Sequence, residues 1–110
     1  MQFMGCLYVG ESLASTEYKI VEKVHRGQVV PNLYLITMSN NPDNMLDLIP
    51  EWEALQKNYP KDCLKVVGIA SGKKEAIRLV QSIIKESMSE TGSADIREYL
   101  KQKWEGQACR

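Results

Sequence analysis

The sequence has no surplus of charge, since fourteen Lys and Arg balance fourteen Asp and Glu. A chain without a net field is not drawn to phosphate backbones or anionic lipid, so nucleic acid and membrane surfaces are not expected partners. It also has no long hydrophobic run. The longest weakly polar stretch, Phe3 to Gly10, has eight residues, against about 20 needed to span a bilayer. No Lys or Arg precedes Lys19, so the basic segment that opens a secretory signal is absent from this stretch. Cysteine is sparse: Cys6, Cys63 and Cys109 are odd in number and form no C-x-x-C pair. A disulfide framework or a zinc site is not indicated, and the three read as thiols in a reducing cytoplasm. Histidine is limited to His25. No internal repeat or low-complexity tract occurs.

What is present suits a single domain spanning residues 1–110. At 110 residues, 44% of them hydrophobic, the chain can bury a core without disulfides or metal. "CLYVG", residues 6 to 10, has the composition of a strand. A helix is expected after Ser15 or Thr16 as N-cap, with Tyr18, Ile20, Val21 and Val24 at helical spacing and Gly27 as its stop. "PNLYLITM", residues 31 to 38, reads as a strand buried on both faces, with Pro31 at its start. "SNNPDN" is a turn by its chemistry.

The next segment, "MLDLIPEWEALQKNY", fits a helix face through Met45, Leu48, Ile49, Trp52 and Leu55, but Pro50 interrupts it. A proline inside a helix costs about 3 kcal/mol and pushes its predecessor toward extended angles. The segment therefore divides into a strand that pairs with the preceding one as a hairpin and a helix opened by Pro50 at N1. Glu51 and Glu53 fall in that helix's first turn, Asp47 faces outward, and Pro60 closes the helix. "CLKVVGIA" is a buried strand. "KKEAIRLVQSIIKESMSE" is the strongest helix, with Ala76, Ile77, Val80, Ile83, Ile84 and Met88 in one stripe and Gly92 as its stop. Ser93 caps a last helix in which Asp95 lies in the first turn and Ile96, Tyr99, Leu100 and Trp104 share a side. The order is β-α-β-(β)-α-β-α-α, an α/β fold with helices packed on a small sheet.

The glycine-containing turn after the last strand fails both nucleotide fingerprints. Gly68 and Gly72 are one residue too close for a P-loop, and Lys74 stands where Ser or Thr would hold magnesium. Nor does "GIASG" match G-x-G-x-x-G. What remains is a helix N-terminus at Ser71, Gly72, Lys73 and Lys74, where free N–H groups favour an anion and the lysines oppose the dipole.

No catalytic constellation assembles. His25 suits a helix C-terminus more than general-base work, and no sequence feature links it to Cys6 or Cys63. Asp43, Asp47, Glu51 and Glu53 have turn, strand and helix-cap explanations and miss the calcium-loop spacing, so no metal or cofactor is assigned. Trp52 and Trp104 read as packing residues. The terminal helix is amphipathic on a small domain, which makes Tyr99, Leu100 and Trp104 the candidate interface.

"LYVG", "PNLYLITMSNNPDNMLDLIP" and "VVGIASGKKEAIRLVQSIIKE" together resemble a family of small uncharacterised bacterial proteins of unknown function. The resemblance covers nearly the whole chain. It implies a bacterial cytoplasmic protein and brings no reaction, cofactor or site residue. The expectation is thus a non-catalytic binding or regulatory domain that self-associates or meets a protein partner. The alternative is a small enzyme or sensor taking a phosphorylated or carboxylated metabolite at residues 71 to 75.

Overall fold

The computed structural model describes residues 2–38, 46–56, 64–92 and 95–106. Its elements run β1 (Gln2–Val9), a 3-10 turn (Glu11–Leu13), α1 (Glu17–His25), β2 (Leu33–Met38), β3 (Leu46–Pro50), α2 (Glu51–Ala54), β4 (Lys65–Ser71), α3 (Lys73–Thr91) and α4 (Ile96–Gly106). The described residues form one four-stranded mixed sheet in the order β1-β4-β2-β3. β1 is parallel to β4, whereas β2 is antiparallel to both β4 and β3. The α/β fold and the element order match the sequence reading.

Alternation along the strands divides the core between two faces. Leu35, Ile49, Val66 and Ile69 meet Ile20 and Val24 of α1 and Ala54 of α2 on one face. Met4, Ile36 and Val67 meet Ile83 of α3 and Ile96 and Leu100 of α4 on the other. β4 lies between β1 and β2 and is buried from Val66 to Ala70, which explains its unbroken apolar composition.

The hairpin inferred from Pro50 is present, with Tyr34 opposite Pro50 and Met38 opposite Leu46. Its helix differs. Pro50 keeps extended angles as the N-cap, and α2 is a single turn of four residues. Glu51 lies in the first turn, as expected, but is fully buried, and Trp52, expected to pack, is 56% exposed. Four residues make one turn, so only one side of α2 meets the sheet, and that side carries Glu51 and Ala54.

The first strand begins earlier than its composition indicates, at Gln2, and its pairing with β4 is irregular between Phe3 and Tyr8. β2 begins at Leu33, after Asn32 at φ 61°, and not at Pro31. Tyr18, counted in the apolar side of α1, is 79% exposed; Ile20 and Val24 alone are buried there. The turn at residues 39–44, Cys63, Pro60 and the cap at Ser93 lie outside the described residues.

Candidate functional site

Three features of α3 define what the chain offers to other molecules. The first is its N-terminus, where the chain leaves β4 through Gly72. This residue takes φ 83°, a conformation that side chains resist, and its N–H donates to the Asn32 carbonyl at 2.7 Å. The Ser71 N–H donates to the Glu75 carboxylate. Glu75 also accepts from the Ser12 N–H and the Ser12 hydroxyl, both at 2.9 Å. An acidic group from the helix itself thus occupies the Ser71 N–H, one of the groups that the sequence reading reserved for an outside anion. Desolvation alone would raise the Glu75 pKa. The Ser12 and Ser71 donors, together with the nearby Arg78 guanidinium, outweigh it and hold the carboxyl below its ordinary range.

Beside this clamp lies a cleft of about 360 Å³ lined by Val9, Gly10, Glu11, Glu75, Arg78, Leu79 and Ser82. It opens at the carboxyl ends of the parallel pair β1 and β4, the place where open α/β sheets receive ligands. Lys73 and Lys74 are exposed beside it. The structure therefore brings Ser71 through Lys74 to one corner, with Ser71 and Gly72 already bonded within the chain. Arg78, absent from the sequence-based set, is the cation that lines the cleft.

The second feature is the outer flank of α3. The apolar arc read from sequence is wider than the sheet can cover. Ala76 and Ile83 are buried, Val80 and Ile84 half-buried, and Ile77 and Met88 remain 41% and 52% exposed. Met38, Leu46 and Leu48 of the hairpin are half-buried on the same face of the sheet.

The third feature joins α3 to α4 and β1. Glu86 Oε2 accepts from the Tyr8 hydroxyl, from the Tyr99 hydroxyl at 2.7 Å and from Lys103 Nζ at 3.1 Å. Lys103 also donates to the Tyr8 oxygen at 2.9 Å and lies 4.7 Å from the centre of its ring. Burial raises the pKa of both tyrosines, and the adjoining Glu86 carboxylate raises it further. Desolvation opposes ionisation of Glu86 as well, but its tyrosine and lysine donors reverse the sign and lower its pKa.

This network seats α4 on its own chain. Leu100 is fully buried in the core, whereas Tyr99 and Trp104 are half-buried, and the Lys65 amine lies 5.9 Å from the Trp104 ring. Of the three candidate interface residues, two therefore retain accessible surface. Tyr8, Glu86 and Lys103 escaped the sequence reading because they come from three separate elements. The only local signal was the i, i+4 spacing of Tyr99 and Lys103.

On the opposite face of the sheet, Glu51 accepts from the Val30 N–H through Oε1, while Oε2 has no hydrogen-bond partner among the described residues. Burial raises its pKa, partly offset by that N–H. The His25 ring, at the end of α1, lies 4.9 Å from the Phe3 ring and is tilted 58° to it. Among the described residues no three His, Cys, Asp or Glu side chains come together as a metal site. No helix among them is long and apolar enough to cross a membrane.

Among the described residues these arrangements define an α/β domain with an incompletely covered α3 and a small cleft at its N-terminus, beside a second cleft of about 320 Å³ between β1 and the start of α1. No family model, curated protein or solved structure matches the chain. No activity or residue role is inherited, and the functional reading rests on geometry.

Proposed function

We propose that this chain is a non-catalytic protein-interaction domain of the cytoplasm, docking through the outer flank of α3. The observation that supports this reading is the exposure of Ile77 and Met88 on a helix whose other apolar residues are buried or half-buried. Scattered apolar residues on a surface need no explanation, but a row of them beside half-buried strand residues is a form that interfaces take. The partner is a second copy or a different protein. The test compares the wild type with Met88→Glu in light scattering and in capture from lysate. A dimer or a captured protein that disappears with the substitution supports the reading. Monomer throughout, with no capture that depends on Met88, ends it.

A second reading is carried by the cleft and Arg78: a small phosphorylated or carboxylated ligand bound beside Lys73 and Lys74. Its volume of about 360 Å³ falls within the range of small-molecule sites. Stabilisation by a nucleotide or sugar phosphate in a thermal-shift screen, lost in Arg78→Ala or Lys73→Ala/Lys74→Ala, is the expected result. Absence of any shift ends this reading.

A further inference from the structure

We infer that the flank of α3 beside β3 receives an acidic amphipathic helix from a different protein. This inference rests on the interaction reading above and names the partner's chemistry. α3 carries α4 on one flank, joined through Glu86, Tyr99 and Lys103. The other flank runs beside the hairpin and ends in the exposed Ile77 and Met88. Residues three and four apart are neighbours on a helix surface, so Ile77, Ile84 and Met88 form one stripe with Gln81 between them. A helix laid along this stripe would place its own apolar residues against these side chains and against Met38, Leu46 and Leu48. Such helix-in-groove docking is a recurring mode of recognition.

Charge decides what flanks the partner's apolar face. Lys73 and Lys74 neighbour Ile77 at i, i+4 and i, i+3, and Lys85 neighbours Met88 at i, i+3. All three lysines are exposed, and none makes an ion pair with a described residue. Of the three acids of α3, Glu75 and Glu86 are held elsewhere, by Ser12 and Ser71 and by the tyrosine–lysine network respectively, and the exposed Glu90, two positions from Met88, does not face the stripe. The stripe thus has a basic rim on a chain of zero net charge. Lys73 and Lys74 also oppose the dipole of α3, an unfavourable placement that acidic residues across an interface would relieve. A second copy of α3 would bring the same three lysines to the same rim, so charge disfavours self-docking.

The test uses the full chain and labelled synthetic helices of about five turns. One carries a leucine stripe flanked by glutamates, one the same stripe flanked by lysines, and one the glutamate composition scrambled. Fluorescence anisotropy is expected to show binding of the glutamate helix at least about tenfold tighter than either control, a difference of about 1.4 kcal/mol. Ile77→Glu and Met88→Glu, both at exposed positions and checked by unchanged circular dichroism, should each weaken it about tenfold or more. Lys73→Glu/Lys74→Glu/Lys85→Glu should reverse the preference toward the lysine helix. Equal binding of the glutamate and lysine helices, no binding of the glutamate helix, or binding indifferent to Met88→Glu overturns the inference. If the inference falls while Met88→Glu still abolishes a dimer or a captured partner, the docking face stands and only its occupant is wrong. If Met88→Glu changes nothing in either assay, both fall.

Discussion

Gly10 and Glu75 show how one missing side chain positions another. Gly10 has φ −62° and ψ 150°, angles open to any residue, so its backbone does not require glycine. Space does, because a Cβ there would stand 2.6 Å from the Glu75 carboxylate. Gly10→Ala should therefore act by displacing Glu75 from the donors of Ser12 and Ser71. With the carboxylate partly exposed, each of Gly10→Ala and Glu75→Ala is expected to cost about 1–2 kcal/mol. The pair together should cost about the same as either alone, since both remove one interaction; full additivity in urea denaturation would refute the coupling. Glu51 makes a separate residue-scale prediction. Its folded pKa is raised by burial, so as pH rises past the ordinary value of about 4.3 the unfolded chain ionises first. Stability contributed by the protonated form is complete below that pH and is lost between it and the folded pKa. Gln retains an acceptor for the Val30 N–H but does not ionise. The stability gap between Glu51→Gln and the wild type should consequently widen in favour of Gln from about pH 4 toward neutrality. A gap independent of pH would show that burial does not raise this pKa.

At the scale of elements, α4 is held by apolar contact through Ile96 and Leu100 and by the polar network around Glu86. Tyr8 and Tyr99 have folded pKa values raised above the ordinary value. Their contribution is present below an unfolded pKa of about 10 and is lost as pH climbs beyond it. Two of the five tyrosines should accordingly ionise late in alkaline titration, in step with loss of helical dichroism. Glu86→Gln should lower the pH at which this step occurs. Late ionisation without any change in dichroism would show that the hydroxyls do not anchor α4. Periodicity made α3 and α4 legible because 3.6-residue repetition is a local property, and Pro50 revealed the hairpin because proline restricts its own neighbours. The same reasoning extended the buried arc of α3 to Ile77 and Met88, since a repeat cannot tell how much of a helix the sheet will cover. Nor did it reveal the burial of Glu51, because the shortness of α2 and its seat on the sheet depend on tertiary packing. The Glu75 clamp was missed for a related reason. Glu75 suited a helix start, but nothing local linked it to Ser12, 63 residues away.

Across the whole molecule, order of attachment follows from the sheet. β4 is paired on both sides, to β1 and β2, and its residues from Val66 to Ala70 are buried. Among the described residues β1 lies at the edge of the sheet and pairs only with β4, in a register interrupted between Phe3 and Tyr8. It also joins positions as distant as Gln2 and Lys65, so its docking closes a long loop, whereas the β2–β3 hairpin is comparatively local. The amides of Val66 to Ala70 and of Leu35 to Thr37 are therefore expected to exchange with solvent only through global unfolding. Their exchange free energies should equal that from denaturant melts. Amides of β1 that bond to β4, and those of the single turn α2, should exchange by smaller openings of lower free energy. Met4→Ala deletes part of the apolar face that β1 presents to α4, and a buried methionine truncated to alanine costs about 2–5 kcal/mol. It should accelerate exchange in β1 at least as strongly as in β4. Equal protection across β1 and β4, moving together in this variant, would mean that the edge strand belongs to the same cooperative unit as the centre.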